Sequence, residues 1–221
     1  MKVCTDSCLF GAWVADKIER KVIAPKKILD IGTGTGLLTL ILAQKTSALI
    51  DAVEVDKNSF EQAVVNFYDS PWNEYLQAFS ADIKNWKASA KYDLIICNPP
   101  FFENDLKSVE ENKNVAMHDK GLMLTDLIYC IKVNLDVKGC VAVLLPYHRI
   151  SYFEKLATEN NLHLAEKLLI RQTPAHQYFR GILFFSNQII DSISNELIIR
   201  DEKGNYTDSF TKLLEDYYLA L

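Results

Sequence analysis

The chain has 221 residues and a formal net charge of −5, with 49% hydrophobic and 24% charged residues. This length suits one well-buried domain, so residues 1–221 are predicted to form a single domain, and the acidic balance argues against tight non-specific binding to nucleic acid. No apolar stretch approaches the roughly 20 residues of a membrane span, and the N-terminus lacks the layout of a signal peptide.

Short apolar strands alternate with amphipathic helices through the first two thirds of the chain. The strand patterns fall at residues 27–31, 50–55, 76–79, 92–97 and 140–145. The helical patterns between them fall at residues 37–44, 59–68 and 122–135. This alternation predicts right-handed crossovers and a mainly parallel sheet with helices on both faces.

Beyond Pro146 the pattern changes to neighbouring strands. A helical pattern over 150–160 precedes two strand-like runs, 162–171 and 179–186, which are close enough in sequence to predict an antiparallel hairpin. A short strand over 196–199 and a helix near 207–219 follow. The predicted class is α/β and Rossmann-like, with seven main strands, mostly parallel, and a C-terminal antiparallel hairpin.

A glycine-rich turn, Asp30-Ile31-Gly32-Thr33-Gly34-Thr35-Gly36, lies where the first strand becomes a helix. Glycines there permit a tight turn and let the backbone approach a ligand beside a helix N-terminus. Asp30, Gly32, Gly34 and Gly36 are therefore candidate cofactor-binding residues. A purely structural turn is the alternative, and dinucleotide-binding enzymes use a related turn.

Acidic residues follow the next two strands. Glu54 ends the second strand, where a carboxylate can accept hydrogen bonds from both hydroxyls of a ribose. It is favoured over Asp56, for which a helix cap before Ser59 is the alternative. Asp82 follows the third strand and can accept a hydrogen bond from the amino group of a cofactor adenine, with a capping aspartate as the alternative.

The tetrapeptide Asn98-Pro99-Pro100-Phe101 follows the fourth strand at its carboxyl end, where ligands bind in open α/β sheets. The prolines fix the loop, so the Asn98 amide and the Pro99 carbonyl can accept both N–H groups of an aromatic amine and turn its lone pair toward a methyl donor. Phe101 can stack on the base. These four residues are the candidate catalytic residues, and Asn98 also borders the cofactor. A plain Asn-Pro turn is the alternative.

These motifs resemble the bacterial tRNA1(Val) (adenine-37-N6)-methyltransferase family over nearly the whole chain. Beyond the glycine turn and the tetrapeptide, the resemblance is carried by segments 1–6, 9–13, 28–38, 51–54, 93–101, 197–200, 205–207 and 217–219, with Asn66 and Ser70-Pro71-Trp72. Met117 stands where the family pattern has an arginine.

The resemblance implies the cofactor and the substrate. The cofactor would be S-adenosylmethionine, with Lys2, Thr5 and Asp6 at its methionine end, and Glu54 and Asp82 at its ribose and adenine. The reaction would methylate the exocyclic N6 of an adenine in tRNA, at position 37 beside the anticodon of tRNA(Val). An anticodon-loop base is already unpaired, so bringing it into a pocket costs less than flipping one from a duplex.

Two further residues are candidates for substrate binding. His118 lies in the loop after the tetrapeptide, and Arg180 adjoins Tyr178 and Phe179, where its guanidinium can stack on a base. The alternatives are a polar loop histidine and a solvated arginine. Further basic residues in the last third of the chain are candidates for an RNA-backbone patch or for ordinary surface: Arg149, Lys155, Lys167 and Arg171.

Other functions fit parts of the pattern. A methyltransferase acting on a glutamine amide of a release factor would use the same Asn-Pro-Pro geometry, and a non-catalytic scaffold would bind the cofactor without turnover. A nicotinamide dehydrogenase would use the glycine turn but leave the tetrapeptide without a role. The 5 cysteines show no paired spacing, which predicts reduced thiols, no metal site and a cytoplasmic protein. A monomer without a membrane partner is expected.

Overall fold

The computed structural model describes residues 4–100 and 122–218. Its strands are β1 (Lys27–Ile31), β2 (Leu49–Glu54), β3 (Leu76–Ser80), β4 (Tyr92–Cys97), β5 (Leu135–Pro146), β6 (His163–Arg171), β7 (Tyr178–Ser186) and β8 (Ile193–Ile198). Its helices are α1 (Thr5–Glu19), α2 (Leu37–Ala43), α3 (Lys57–Tyr68), α4 (Leu124–Asn134), α5 (Ile150–Glu159) and α6 (Asp208–Leu214).

The strands form one sheet in the order β3-β2-β1-β4-β5-β7-β6-β8. The first five strands are parallel neighbours, whereas β7 is antiparallel to both β5 and β6. The predicted Rossmann-like class and the hairpin are confirmed. The described part of the chain has eight strands rather than seven, because the short tail strand pairs in parallel with β6 as β8.

Helices cover both faces of the sheet. On one face, α1, α2 and α6 share a buried hydrophobic cluster with the strands, which includes Phe10, Phe210 and Ile28 of β1. On the other face, α4 and α5 pack against strand residues such as Ile95, with Phe153 of α5 fully buried. Burial from both sides explains why the central strands are continuous apolar runs instead of alternating ones.

The ends of two helices differ from the sequence prediction. Helix α3 begins at Lys57, ahead of the predicted start, because Asp56 caps it by accepting a hydrogen bond from the Ser59 backbone N–H at 2.8 Å. Helix α6 is shorter than predicted, ending at Leu214. Its start is capped by Thr207, whose hydroxyl accepts from the Phe210 N–H at 3.3 Å. Polar caps rather than apolar periodicity set both starts.

The sheet brings the candidate residues to the rim formed by the carboxyl ends of its parallel strands. The carboxyl ends of parallel strands share an edge, and β7 begins at that edge because it runs antiparallel to β5, with Arg180 opposite Pro146. Residues that follow β1, β2, β3 and β4 therefore lie along the same rim as the start of β7.

Within the described ranges, no helix is long and apolar enough to cross a membrane.

Candidate active site

The glycine turn between β1 and α2 adopts a backbone that side chains disfavour. Gly32, Gly34 and Gly36 have φ angles of 70°, 60° and 89°, all in the left-handed region. A Cβ at Gly36 would lie only 2.4 Å from Cε1 of Phe67 on α3. The turn therefore needs glycine both for its conformation and for its packing against α3.

Replacing Gly36 by alanine is expected to lower the free energy of unfolding by about 2–4 kcal/mol, since it combines left-handed strain with overpacking against Phe67. Gly204→Ala is the matched control, because Gly204 also has a positive φ, 86°, but has no atom within 4 Å of the added Cβ. It should cost only about 1–2 kcal/mol. Urea unfolding of both variants measures the difference, and equal losses would show that the Phe67 contact is unimportant.

Glu54 joins the end of β2 to the glycine turn. Its carboxylate is buried and accepts three backbone N–H groups: Oε2 accepts from Gly34 at 2.8 Å, and Oε1 accepts from Val55 at 2.9 Å and from Asp56 at 2.8 Å. The side chain of Asp56 instead serves as the α3 cap. The Glu54 carboxylate is therefore held at the strand end, beside the turn.

Asn66 of α3 also holds the glycine turn, because its Nδ2 donates to the Thr35 carbonyl oxygen at 2.8 Å. The sequence pattern marked Asn66 only as part of the family resemblance and suggested no role for it. This contact holds Thr35, and the Glu54 contact holds the preceding residue, Gly34. Two separate elements thus fix this loop.

Asp30, at the end of β1, is a fully buried carboxylate. Its Oδ2 accepts hydrogen bonds from the hydroxyls of Thr33 at 2.6 Å and Thr39 at 2.8 Å. Its Oδ1 is buried with no hydrogen-bond partner among the described residues. Burial raises the pKa of Asp30 from 3.8 to about 6, which the two threonine hydroxyls oppose. The turn therefore contains an acceptor that a donor from a ligand can satisfy.

The raised pKa of Asp30 predicts a pH-dependent stability. Its contribution is fully present below about pH 4, where the carboxyl is protonated in both states, and is lost as the pH rises through about 6. Relative to Asp30→Asn, the free energy of unfolding of the unmodified protein should fall by about 3 kcal/mol between pH 4 and pH 7. Urea unfolding of both proteins across this range tests the expectation, and a pH-independent difference would contradict it.

The Asn98 side chain lies just beyond β4 and is oriented by α1. Its Nδ2 donates to Oγ of Ser7 at 2.9 Å, and its Oδ1 is buried without a partner in the described ranges. Pro99 is buried and Pro100 is exposed. A buried acceptor with no donor is costly, so Oδ1 is available to an N–H donor at this strand end.

The first turn of α1 lies against the same rim. Asp6 Oδ2 accepts from Arg180 Nε at 2.8 Å, which joins α1 to the start of β7. Thr5 is exposed in the same turn, close enough to Tyr218 to oppose the rise that burial causes in the pKa of that hydroxyl. The structure thus brings Asp6 and Arg180, predicted for different ligands, into direct contact with each other.

Other predicted residues are less closely tied to this rim. Asp82 follows β3, and its Oδ1 accepts from the Lys84 N–H at 3.0 Å, a capping contact that uses one of its two carboxylate oxygens. Lys2, Phe101 and His118 lie outside the described residues. In the C-terminal third, basic side chains form local ion pairs: Lys155 with Glu159, Lys167 with Glu154, and Arg171 with Glu196.

Ser7 is a site residue that the sequence pattern did not indicate. Its contact with Asn98 joins residues 91 positions apart. It sits between the two segments, 1–6 and 9–13, that carry the family resemblance. Local periodicity cannot reveal such a pair, because it arises only when α1 packs across the end of β4.

Comparisons with known proteins agree with this geometry. The family model described as "Methyltransferase small domain" matches residues 12–118. The tRNA1(Val) (adenine(37)-N6)-methyltransferase of Cytophaga hutchinsonii is 38% identical over 100% of this chain and 92% of its own length. Enzymes of the same name are 35% identical in Flavobacterium psychrophilum, over 100% of this chain and 94% of the relative, and in Escherichia coli O157:H7, over 100% and 89%.

Solved structures share the fold at lower identity. A protein described as a predicted O-methyltransferase from Agrobacterium tumefaciens has a TM-score of 0.70 at 15% identity, over 95% of each chain. Magnesium protoporphyrin IX methyltransferase from Synechocystis, solved with bound S-adenosylmethionine, has a TM-score of 0.60 at 16% identity, over 83% of this chain and 80% of that one.

The sheet order and the glycine turn give this protein the Rossmann-like class I methyltransferase fold. Relatives that are 35–38% identical and named methyltransferases exclude the nicotinamide dehydrogenase considered from sequence. With relatives up to 38% identical over the full chain, the protein belongs to the tRNA1(Val) (adenine(37)-N6)-methyltransferase family.

Proposed function

We propose that this protein transfers a methyl group from S-adenosylmethionine to N6 of an adenine in tRNA, at position 37 beside the anticodon of tRNA(Val). The proposal rests on Oδ1 of Asn98, in the Asn-Pro-Pro turn at the carboxyl rim. This oxygen is buried and has no hydrogen-bond partner among the described residues. An acceptor of this kind suits an N–H of the target amine. The names of the relatives support the particular substrate.

The residues of the glycine turn fit the cofactor. Asp30 offers a buried acceptor without a partner in the described ranges, and the three left-handed glycines leave the backbone accessible to a ligand. Among the described residues, Glu54 Oε2 accepts one hydrogen bond, from the Gly34 N–H at 2.8 Å, so this oxygen retains capacity for a ribose hydroxyl. Asp82 would take the adenine. Lys2, Thr5 and Asp6 would take the methionine end.

When bound, S-adenosylmethionine supplies a methyl group on a sulfonium, which leaves as a neutral thioether. The protein's task is then to prepare the amine. An adenine amino group is a poor nucleophile because its lone pair is delocalised into the ring. By accepting one N–H at Asn98 Oδ1 and the other at the Pro99 carbonyl, the turn directs the lone pair toward the methyl carbon. The nitrogen–methyl bond forms as the sulfur–methyl bond breaks, and the extra proton on the methylated amine is then lost to water, so that catalysis is mainly alignment of the two reactants.

The target base would enter at the rim where β4 ends and β7 begins. Pro100 is exposed there, and Phe101 after it would stack on the base. His118 and Arg180 are the proposed further substrate contacts. The Arg180 guanidinium, held by Asp6 and lying 5.6 Å from the centroid of the Phe179 ring, is a fixed cation at this rim. We further propose that the whole chain acts as one cytoplasmic domain.

The test is methyl transfer from labelled S-adenosylmethionine to unmodified total tRNA, with a release factor offered in parallel. Nucleoside analysis of the digested RNA should yield labelled N6-methyladenosine. Label on a glutamine of the release factor would contradict the proposal and favour the protein-substrate alternative. Cofactor binding without transfer to either substrate would favour the scaffold.

A further inference from the structure

The terminal amide of Asn98 has to be oriented with its oxygen toward the target amine, and the side chain alone does not fix that orientation. A terminal amide has nearly the same shape in both orientations about its last torsion, which is broad and roughly two-fold. In one orientation its oxygen faces the substrate, and in the other an NH₂ group does. Because an amine presents N–H donors, only the first orientation is productive. A neighbouring group has to select it.

Ser7 is the group that contacts the other side of this amide. Its Oγ accepts from Asn98 Nδ2 at 2.9 Å, which leaves Oδ1 as the atom without a partner in the described part of the chain. Ser7 lies in the first turn of α1, and both side chains are only partly exposed. In this arrangement the Ser7 hydroxyl acts as the acceptor, and the hydrogen bond holds the amide with Nδ2 toward α1 and Oδ1 on the opposite side.

Ser7 is itself held through Asp6. The Ser7 backbone N–H donates to Asp6 Oδ1 at 3.0 Å, and Asp6 Oδ2 accepts from Arg180 Nε at 2.8 Å. The Asp6 and Arg180 side chains are 15% and 26% exposed, so the ion pair is shielded from most solvent screening. A continuous set of contacts therefore runs from β7 through the first turn of α1 to the amide beyond β4.

We propose that Ser7 is a positioning residue that fixes the Asn98 amide with Oδ1 toward the target amine, and that the Asp6–Arg180 pair holds Ser7 in place. The inference rests on the proposed function of Asn98. It assigns to the N-terminal helix a role in methyl transfer itself, in addition to any contact with the cofactor. Ser7 acts through Asn98 and does not touch the reacting atoms.

The test is a double-mutant cycle of Ser7→Ala and Asn98→Ala, with kcat and the cofactor Kd measured for each protein. Ser7→Ala should lower kcat about 5- to 10-fold and leave the cofactor Kd unchanged, because only the amide orientation is lost. In the Asn98→Ala background the same change should have no further effect. Ser7→Thr retains the hydroxyl and should restore most of the lost turnover.

Ser151→Ala is the matched control, because Ser151 is an exposed serine in the first turn of α5. It should keep full turnover. An unchanged kcat in Ser7→Ala beside a large loss in Asn98→Ala would overturn the positioning role alone. An equal loss from Ser7→Ala in both backgrounds would also overturn it, by showing that Ser7 acts independently of Asn98. Full activity of Asn98→Ala would instead contradict the proposed function.

Discussion

Asn98→Ala is expected to lower kcat for methyl transfer about 100-fold while the protein still folds and binds its cofactor. The variant removes one preorganised acceptor from the transition state, and loss of a single such group at other active sites costs factors of this order. The acceptor in question is Oδ1, the buried atom without a partner among the described residues. Single-turnover kinetics at saturating cofactor and tRNA measures the chemical step directly.

The control for Asn98→Ala is Asn195→Ala. Asn195 is exposed on the edge strand β8, away from the carboxyl rim of β4, and its Nδ2 makes one long hydrogen bond of 3.4 Å to Glu166. It should retain the turnover of the unmodified protein. If Asn98→Ala kept a turnover within about twofold of the unmodified protein, the alignment mechanism would be wrong.

Glu54→Gln is expected to raise the cofactor Kd by about 10- to 100-fold and to leave kcat at saturating cofactor nearly unchanged. Hydrogen bonds to a charged acceptor are worth about 1.5–3 kcal/mol, and the amide has lost the charge. Glutamine is preferable to alanine here, because it fills the same space and its one oxygen can still accept the Val55 and Asp56 N–H groups, so that only the acceptor for the Gly34 N–H is lost. Alanine would loosen the turn as well as remove the ribose contact.

Asp56→Asn separates the two acids that end this strand. Asparagine caps helices about as well as aspartate does, so the cap on Ser59 should survive and the cofactor Kd should not change. Isothermal titration of both variants decides between them. An unaltered Kd in Glu54→Gln, or a comparable loss in Asp56→Asn, would remove Glu54 from the proposed ribose contact.

Much of the fold could be predicted from the sequence because its signals are local. Continuous apolar runs predicted the central parallel strands, and the closeness of residues 162–171 and 179–186 predicted the β6–β7 hairpin. The tail strand was predicted at residues 196–199, outside the seven main strands, and the start of β8 at Ile193 was missed for a physical reason. Residues 193–196 are exposed polar and apolar residues at a sheet edge, where burial leaves no periodic pattern.

Site residues could be predicted only where a residue of suitable chemistry stands at the carboxyl end of a predicted strand. Glu54, the glycine turn and Asn98 could be placed in this way, because parallel strands share one rim. The contacts that orient these residues could not be placed. Asn98 with Ser7 and Asp6 with Arg180 join positions 91 and 174 residues apart. Such pairs depend on how α1 packs on the finished sheet.

The sequence pattern also could not predict that Oδ1 of Asp30 lacks a hydrogen-bond partner among the described residues. The motif predicted a residue near the cofactor, whereas the structure shows one oxygen occupied by Thr33 and Thr39 and the other without a partner in the described ranges. Side-chain satisfaction is a property of packed geometry and has no counterpart in residue order. It is nevertheless the observation on which the proposed cofactor contact of Asp30 rests.

The most direct measurement is methylation of a full-length, unmodified tRNA(Val) transcript, with the modified position mapped by mass spectrometry of nuclease fragments. The account predicts one methyl group on N6 of adenine 37, and none on a transcript with guanine at that position. Methylation at another nucleotide, or no methylation by protein shown to bind S-adenosylmethionine, would contradict it.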